Sequence, residues 1–378
     1  MQENELTYWM AFAESGTFPN ESSISAKKRN ELIADFFIKK GKTVGDFMED
    51  ETMWDALGAD GNRILDDASK QSLRNAKTRL ANYAIKLDEM TREGYVIVPI
   101  TDIRFPEKLK KYCKYQTPTI LYAKGNMDLL RQNMTAIVGC RKASQISLDF
   151  TQRVARRAVE NGKVVVSGFA KGVDQMASAS AINAGGSTVV VLPQGIRKSG
   201  SVFKQLYCAL NEGRVLCLSL CPPNMPWSVG LAMERNAYIY GLADEIYAAE
   251  SDSHGGTWEG VRKGLRDGAT VYVRRPEPGE KCANGELIRQ GAIAVDGNGE
   301  KGEDVPNAPR HLSPDQIAEE AAGLFSEHLR VLRPESIKQH LNCSNDEKEI
   351  AKVLDARPDL FDKGKEKGTY IRREASLF

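Results

Sequence analysis

Apolar residues recur at helical spacing along the first part of the chain and then give way to short, nearly continuous apolar runs. LTYWMAFAES, AKKRNELIADFFIKK and SLRNAKTRLANYAIKLDEMTREG place apolar side chains three and four apart. This predicts helices up to about residue 93, with Gly41 and Gly94 as stops. VIVPI (96–100) and PTILYAKG (118–125) predict strands. Further strands follow at TAIVG (135–139), VVVSG (164–168), STVVVL (187–192), RVLCLSL (214–220), EIYAAE (245–250) and ATVYVRR (269–275), the last closing the series. Between them, helices are expected through Ala158, through Ala184, and near Val202 to Leu210, Gly230 to Leu242 and Thr257 to Leu265. Apolar, β-branched runs separated by helices are what strands covered on both faces require. The expected fold is therefore α/β, an extended Rossmann-like parallel sheet with helices on both faces.

Residues 296–315 are rich in Gly, Pro and charge and read as a linker. Beyond them, helices are expected near Gln316 to Leu329, Glu335 to Leu341 and Asn345 to Leu354, then a basic hairpin at 361–373. Three short helices and a β-wing suggest a winged helix. The organisation expected is an N-terminal helical (SAM-like) domain over 1–93, a Rossmann-like domain over 94–295, the linker over 296–315, and a winged-helix-like domain over 316–378.

Bulk properties narrow the chemistry. The chain has 378 residues, 41% hydrophobic and 27% charged, which suits an ordinary globular protein of two or three domains. Its apolar runs are too short to span a bilayer, and its first residues, MQENELT, have no secretory character. Seven cysteines show no repeated spacing. Cys217 and Cys221 flank an apolar stretch, and no further Cys/His pair completes a tetrahedral set, so no metal is expected. The expectation is a reduced, cytoplasmic protein without a cofactor. With 52 basic and 51 acidic residues, nucleic-acid binding would have to come from local patches. One candidate is Lys108, Lys110, Lys111 and Lys114, interleaved with Tyr112 and Tyr115. Another is the C-terminal set Arg330, Arg333, Lys338, Lys363, Lys365, Lys367, Arg372 and Arg373, which could contact DNA or an acidic partner.

Two strand-to-helix loops carry the strongest signal. In IVGCRKAS (137–144) a strand ends at Gly139, and Arg141 and Lys142 precede a helix whose first N–H groups suit a phosphate. In VSGFAKGVD (166–174), Gly168 and Gly172 bracket Lys171, and Asp174 stands where it could cap N–H groups or orient the loop. If the two strands are neighbours, Arg141 and Lys171 face one crevice. Neither loop is a Walker A or a GxGxxG motif, so neither ATP hydrolysis nor NAD-dependent hydride transfer is expected.

These segments resemble the DNA-processing protein A (DprA/Smf) family. GCRKAS is similar to its G-S-R-x-x-S/T loop, and VVSGFAKGVDQMA to its V-S-G-x-A-x-G-I-D-x-x-A. EGYVIVPITDIRFPEKLKKYCKYQTPTILYAKGN (93–126) is similar to its lead-in, and MERNAYIYGLADEIYAAES (233–251) to its R-N-R-x-I-x-G-L-A/S-D-x-x-x-V-x-E-A. The resemblance implies a homodimer that binds single-stranded DNA and loads a RecA-type recombinase in DNA uptake and recombination, with no catalytic activity required. It assigns Arg141, Lys142, Lys171 and Arg235 to phosphate contacts, and Gly139, Ser167, Gly168 and Gly172 to backbone donation or loop shape.

The chain departs from that pattern at Cys140, which removes a hydroxyl, at LPQGI followed by Arg197, and at SHGGTWEG (253–260). The last segment also resembles the P-G-G-x-G-T-x-x-E motif of lonely-guy nucleotide phosphoribohydrolases. On that alternative the chain senses a nucleotide or hydrolyses an N-glycosidic bond, in defence against foreign DNA, with Arg235 and Glu259 as catalytic residues. The plainer reading makes Gly255 and Gly256 a helix start capped by Thr257 or Ser253, with Glu259 in its first turn and His254 a surface loop residue.

Overall fold

The computed structural model describes residues 3–58, 61–301, 312–325 and 331–372, apart from 342, 344, 365 and 367. It divides into two compact units, Met1–Lys301 and Gly302–Phe378.

The first unit opens with helices α1 (Glu3–Glu14), α2 (Ala26–Leu32, continued by a π-helical stretch Ile33–Lys39), α3 (Val44–Glu49), α4 (Asp67–Thr78) and α5 (Leu80–Arg92). Their starts are set by short polar side chains. Ser25, Thr43 and Asp66 each accept the N–H of the third helical residue, and Thr43 forms a capping box with Asp46. Trp9, Phe12, Phe37 and Phe47 pack edge to face at the centre of the group. Buried Arg29 donates to the backbone oxygens of Phe12, Ser15 and Ile24, and burial draws its pKa down to about 10.

Nine strands follow: β1 (Val96–Pro99), β2 (Ile120–Gly125), β3 (Met134–Val138), β4 (Val164–Ser167), β5 (Thr188–Leu192), β6 (Val215–Ser219), β7 (Glu245–Ala248), β8 (Val271–Arg274) and β9 (Ile293–Val295). They form one sheet in the order β1-β2-β6-β5-β4-β3-β7-β8-β9. The β1–β2 and β2–β6 pairs are antiparallel, and every pair from β6 to β9 is parallel. The helices between strands are α6 (Glu107–Cys113), α7 (Gln145–Glu160), α8 (Val173–Asn183), α9 (Gly200–Gln205), α10 (Tyr207–Asn211), α11 (Val229–Leu242), α12 (Gly256–Arg266) and α13 (Asn284–Arg289). Successive residues of β3 serve opposite cores. Ala136 and Val138 join the core under α11, and Ile137 joins that of α7 and α8. Burial on both faces explains why the strands read as unbroken apolar runs.

The structure corrects the expected end of the series. ATVYVRR is not the last strand, because β9 pairs with Tyr272–Arg274 beyond it. Three residues are too short a run to register as a strand in the sequence. Residues 296–301 dock on this unit, where Arg153 and Arg157 donate to the carbonyls of Gly297 and Gly299. The N-terminal helices share one continuous hydrophobic core with the sheet. Lys86 and Tyr122 both donate to buried Glu14, and Arg197 pairs with Glu89 and Glu93. The Arg197 that departs from the family turn is thus a tie to α5.

The second unit contains α14 (Pro314–Leu324), α15 (Pro334–Leu341), α16 (Glu347–Asp355) and a hairpin of β10 (Phe361–Lys363) and β11 (Tyr370–Arg372). Ile317, Ala321, Ile337, Ile350, Leu354, Phe361 and Tyr370 form its core. Of the basic set expected here, Arg333 pairs with Glu366 and Lys363 with Asp355. Arg330, Lys365, Lys367 and Arg373, and the side chain of Arg372, lie outside the described residues. Among the described residues, no helix is long and apolar enough to cross a membrane.

Candidate nucleic-acid crevice

In the parallel part of the sheet the chain runs one way from β3 through β4, β5 and β6, then returns through α11 to add β7 on the other side of β3. Helices diverge at such a switch point and leave a crevice above the carboxyl ends of the strands. A cavity of about 460 Å³ occupies this place, lined by Gly139, Cys140, Arg141 and Lys142 after β3, Ala170 and Asp174 after β4, Met233, Arg235 and Asn236 of α11, and Asp252 and Gly255 to Thr257 after β7. Its size suits a small ligand or part of a polymer.

The first loop is held by its neighbours. Cys140 donates its N–H to the Glu250 carbonyl, and the Glu250 carboxylate accepts both the N–H and the hydroxyl of Ser144, the N-cap of α7. Arg141 and Lys142 are exposed, line the cavity and form no ion pair with a described residue. Cys140 points its thiol at Asp252, 3.6 Å away, and burial together with that carboxylate pushes its pKa to about 12. It stays protonated at neutral pH and offers no nucleophile.

The second loop lies directly against the first. Val173 donates its N–H to the Cys140 carbonyl, and β3 and β4 are paired, so the two loops are neighbours as the crevice requires. Gly172 has φ +84°, and a Cβ there would sit 2.5 Å from the Cys140 oxygen and 2.7 Å from that of Arg141. Gly172→Ala is therefore expected to cost about 1–3 kcal/mol in urea unfolding, because it combines left-handed strain with a backbone collision. An unchanged midpoint would mean that the loops are not held this closely.

Ser167, Gly168 and Arg235 are each engaged with neighbouring groups in the structure. Ser167 is buried and donates to the Ile137 carbonyl, so its hydroxyl is already committed. The Asp174 carboxyl lies by the backbone amides of Gly168 and Ala170, which favour its charged form against the effect of burial. Arg235 reaches from α11 onto Gly168 so closely that a Cβ there would fall 1.0 Å from its Nη1. Its guanidinium lies 3.7 Å from Asp174 and donates to the Val191 carbonyl at 3.3 Å. At 5% exposure, Arg235 forms the floor of the cavity. Burial raises the pKa of Asp174 and lowers that of Arg235, so each charge depends on the other. Gly139 is a packing position, since a Cβ there would meet Val173 at 2.5 Å. Lys171 remains exposed beside the first loop and does not line the cavity.

The N-cap of α12 is Gly255, with φ +95° and no side-chain cap, so neither Ser253 nor Thr257 plays the expected capping role. Its first turn faces the cavity across from Arg141 and Lys142. Glu259 does not line the cavity. It is exposed and 3.8 Å from Arg262 on the same helix, so the pair Arg235 and Glu259 is not assembled into a catalytic centre. The basic stretch before β2 is partly neutralised, with Lys108 on Asp244 and Lys110 on Glu107.

Sequence reasoning missed Asp252 and the exposed pair Trp227 and Val229 beside the start of α11. One signal was available. Trp227 is a large aromatic in the proline-containing loop CPPNMPWS that follows a parallel strand, where functional side chains concentrate.

The DNA processing protein DprA of Streptococcus pneumoniae is 29% identical over 188 residues, covering 48% of this chain and 64% of that protein. The chain thus spans somewhat less than two thirds of that relative. The Bacillus subtilis protein is 28% identical over 214 residues, covering 54% of this chain and 69% of its own length. The solved structure of DNA processing protein A from Streptococcus pneumoniae shares the fold, with a TM-score of 0.61 at 20% identity over 79% of this chain and 96% of that one. The family model for DNA recombination-mediator protein A matches residues 96–305, more than half of the chain and the whole of the crevice. On that match, the chain belongs to the DNA recombination-mediator protein A family.

Proposed function

We propose that the chain binds single-stranded DNA along the crevice above β3 and β4, and that it serves as a mediator handing the strand to a RecA-type recombinase during DNA uptake or recombination. The carrying observation is the set of three exposed cations, Arg141, Lys142 and Lys171, on two touching loops at the switch point, unmatched by carboxylates among the described residues. Phosphates bound there gain charge-assisted contacts and release counterions. Family membership and the names of the relatives, DNA processing proteins, support the same reading. The protein works as a cytoplasmic homodimer, and the second unit, winged-helix-like in its three helices and hairpin, serves as an adaptor to DNA or to a protein partner.

The test is fluorescence anisotropy with single-stranded and duplex oligonucleotides of equal length over a salt series. The single strand is expected to bind more tightly. Its log affinity should fall linearly with log salt, by roughly 0.7 per phosphate contacted. Equal affinity for the duplex, or no dependence on salt, would overturn the proposal.

A further inference from the structure

We propose that Trp227 is a stacking platform for an unpaired base of the bound strand, and that with Arg141 it clamps one nucleotide at the lip of the crevice. The inference rests on the single-stranded DNA reading above and adds a base contact to its phosphate contacts.

Trp227 stands in the loop between β6 and α11, immediately before Ser228, the N-cap of α11. It is 47% exposed, whereas Trp9, Trp54 and Trp258 are all buried. An indole at the surface forgoes the burial that usually places tryptophan in cores. The guanidinium of Arg141 lies over this ring, 5.8 Å from its centroid. Val229 and Met233, both exposed, continue the apolar surface from Trp227 into the wall of the cavity that Arg141 also lines.

A flat π surface beside an unpaired cation matches the two parts of one nucleotide, a planar base and an anionic phosphate. Stacking tolerates any sequence because every base has a π face, and it needs a base that is not stacked in a duplex. The platform therefore selects single strands, while the cations of the loops recognise phosphate in either form. The two contributions also respond differently to salt. Phosphate contacts weaken as counterions are added, and stacking does not.

Because the other three tryptophans are buried and shielded from contact with a bound base, quenching on binding reports chiefly on Trp227. The experiment titrates the full chain with an oligo(dT) and with an abasic oligomer of the same length, following tryptophan emission and anisotropy together. W227A and W227F are compared by anisotropy. Oligo(dT) is expected to quench the emission and the abasic oligomer to leave it unchanged. W227A should lose roughly ten-fold in affinity for oligo(dT), none for the abasic oligomer, and keep the slope of log affinity against log salt, while W227F retains most of the binding. Binding of oligo(dT) by anisotropy with unquenched emission and unaltered W227A affinity overturns the platform and leaves the DNA reading standing. Equal quenching by the abasic oligomer overturns it as well. If W227A changes only the oligomeric state in sedimentation, the surface belongs to a second copy of the chain and the proposal fails. No anisotropy response to either oligomer means that the DNA reading itself fails.

Discussion

Replacing Arg235 by methionine is expected to destabilise the first unit by about 3–5 kcal/mol at neutral pH, because it strands the Asp174 carboxylate in the interior without its counter-charge. Asp174 is buried, and Arg235 is its ion-pair partner at 3.7 Å. Methionine keeps most of the side-chain volume, so the loss isolates charge from cavity formation. The pH dependence has a definite sign. Burial already raises the pKa of Asp174, and without Arg235 it rises further. A carboxyl that holds its proton more tightly when folded favours folding below its unfolded pKa, roughly pH 4, and costs stability as the pH climbs above it. The deficit of Arg235→Met should therefore shrink towards acid pH and be largest at pH 7 and above. Adding Asp174→Asn should recover part of it at neutral pH. Urea unfolding of wild type, both single variants and the double variant at acid and neutral pH measures this. A deficit that is the same at both, or no recovery in the double variant, would show that the pair does not carry the stability of the crevice floor.

The second large effect falls on binding. Arg141→Ala combined with Lys171→Ala is expected to lower the affinity for a single-stranded oligonucleotide roughly 100-fold at low salt. Each charge-assisted contact contributes about 1.5 kcal/mol, or about ten-fold. The slope of log affinity against log salt should flatten by about 1.4, two phosphates' worth. Both side chains are exposed, so unfolding should move by no more than about 0.5 kcal/mol. An unchanged affinity at low salt would place the phosphate path elsewhere on the molecule.

The framework of the first unit was legible because it rests on local pattern. Eight of its strands and the main helices between them declare themselves through apolar, β-branched runs and helical spacing, and Gly139 and Gly172 fall at the turns where the backbone crowds. β9 was not legible, because three residues contribute too short a pattern. Arg141, Lys142 and Lys171 were found because an exposed cation needs nothing from distant residues to remain one. The surroundings of Arg235 and Glu259 were not legible, since each depends on which side chains arrive from elsewhere. The sequence placed Asp174 where it could orient the loop, but did not show its pairing with Arg235. Arg235 crosses from α11 to neutralise Asp174 over a residue with no side chain.

By itself, then, the sequence determined the alternation of strand and helix, the two glycine-bounded loops and the exposed cations on them, because period, chain stiffness and charge are properties of neighbouring residues. The tertiary structure alone decided that the loops touch, that Asp174 and Arg235 seal the floor between them, that Glu259 turns to solvent, and that Trp227 stands beside Arg141. Those outcomes depend on strand order and on the return path of α11, and the energies that select them arise from desolvation and pairing between groups far apart in the chain.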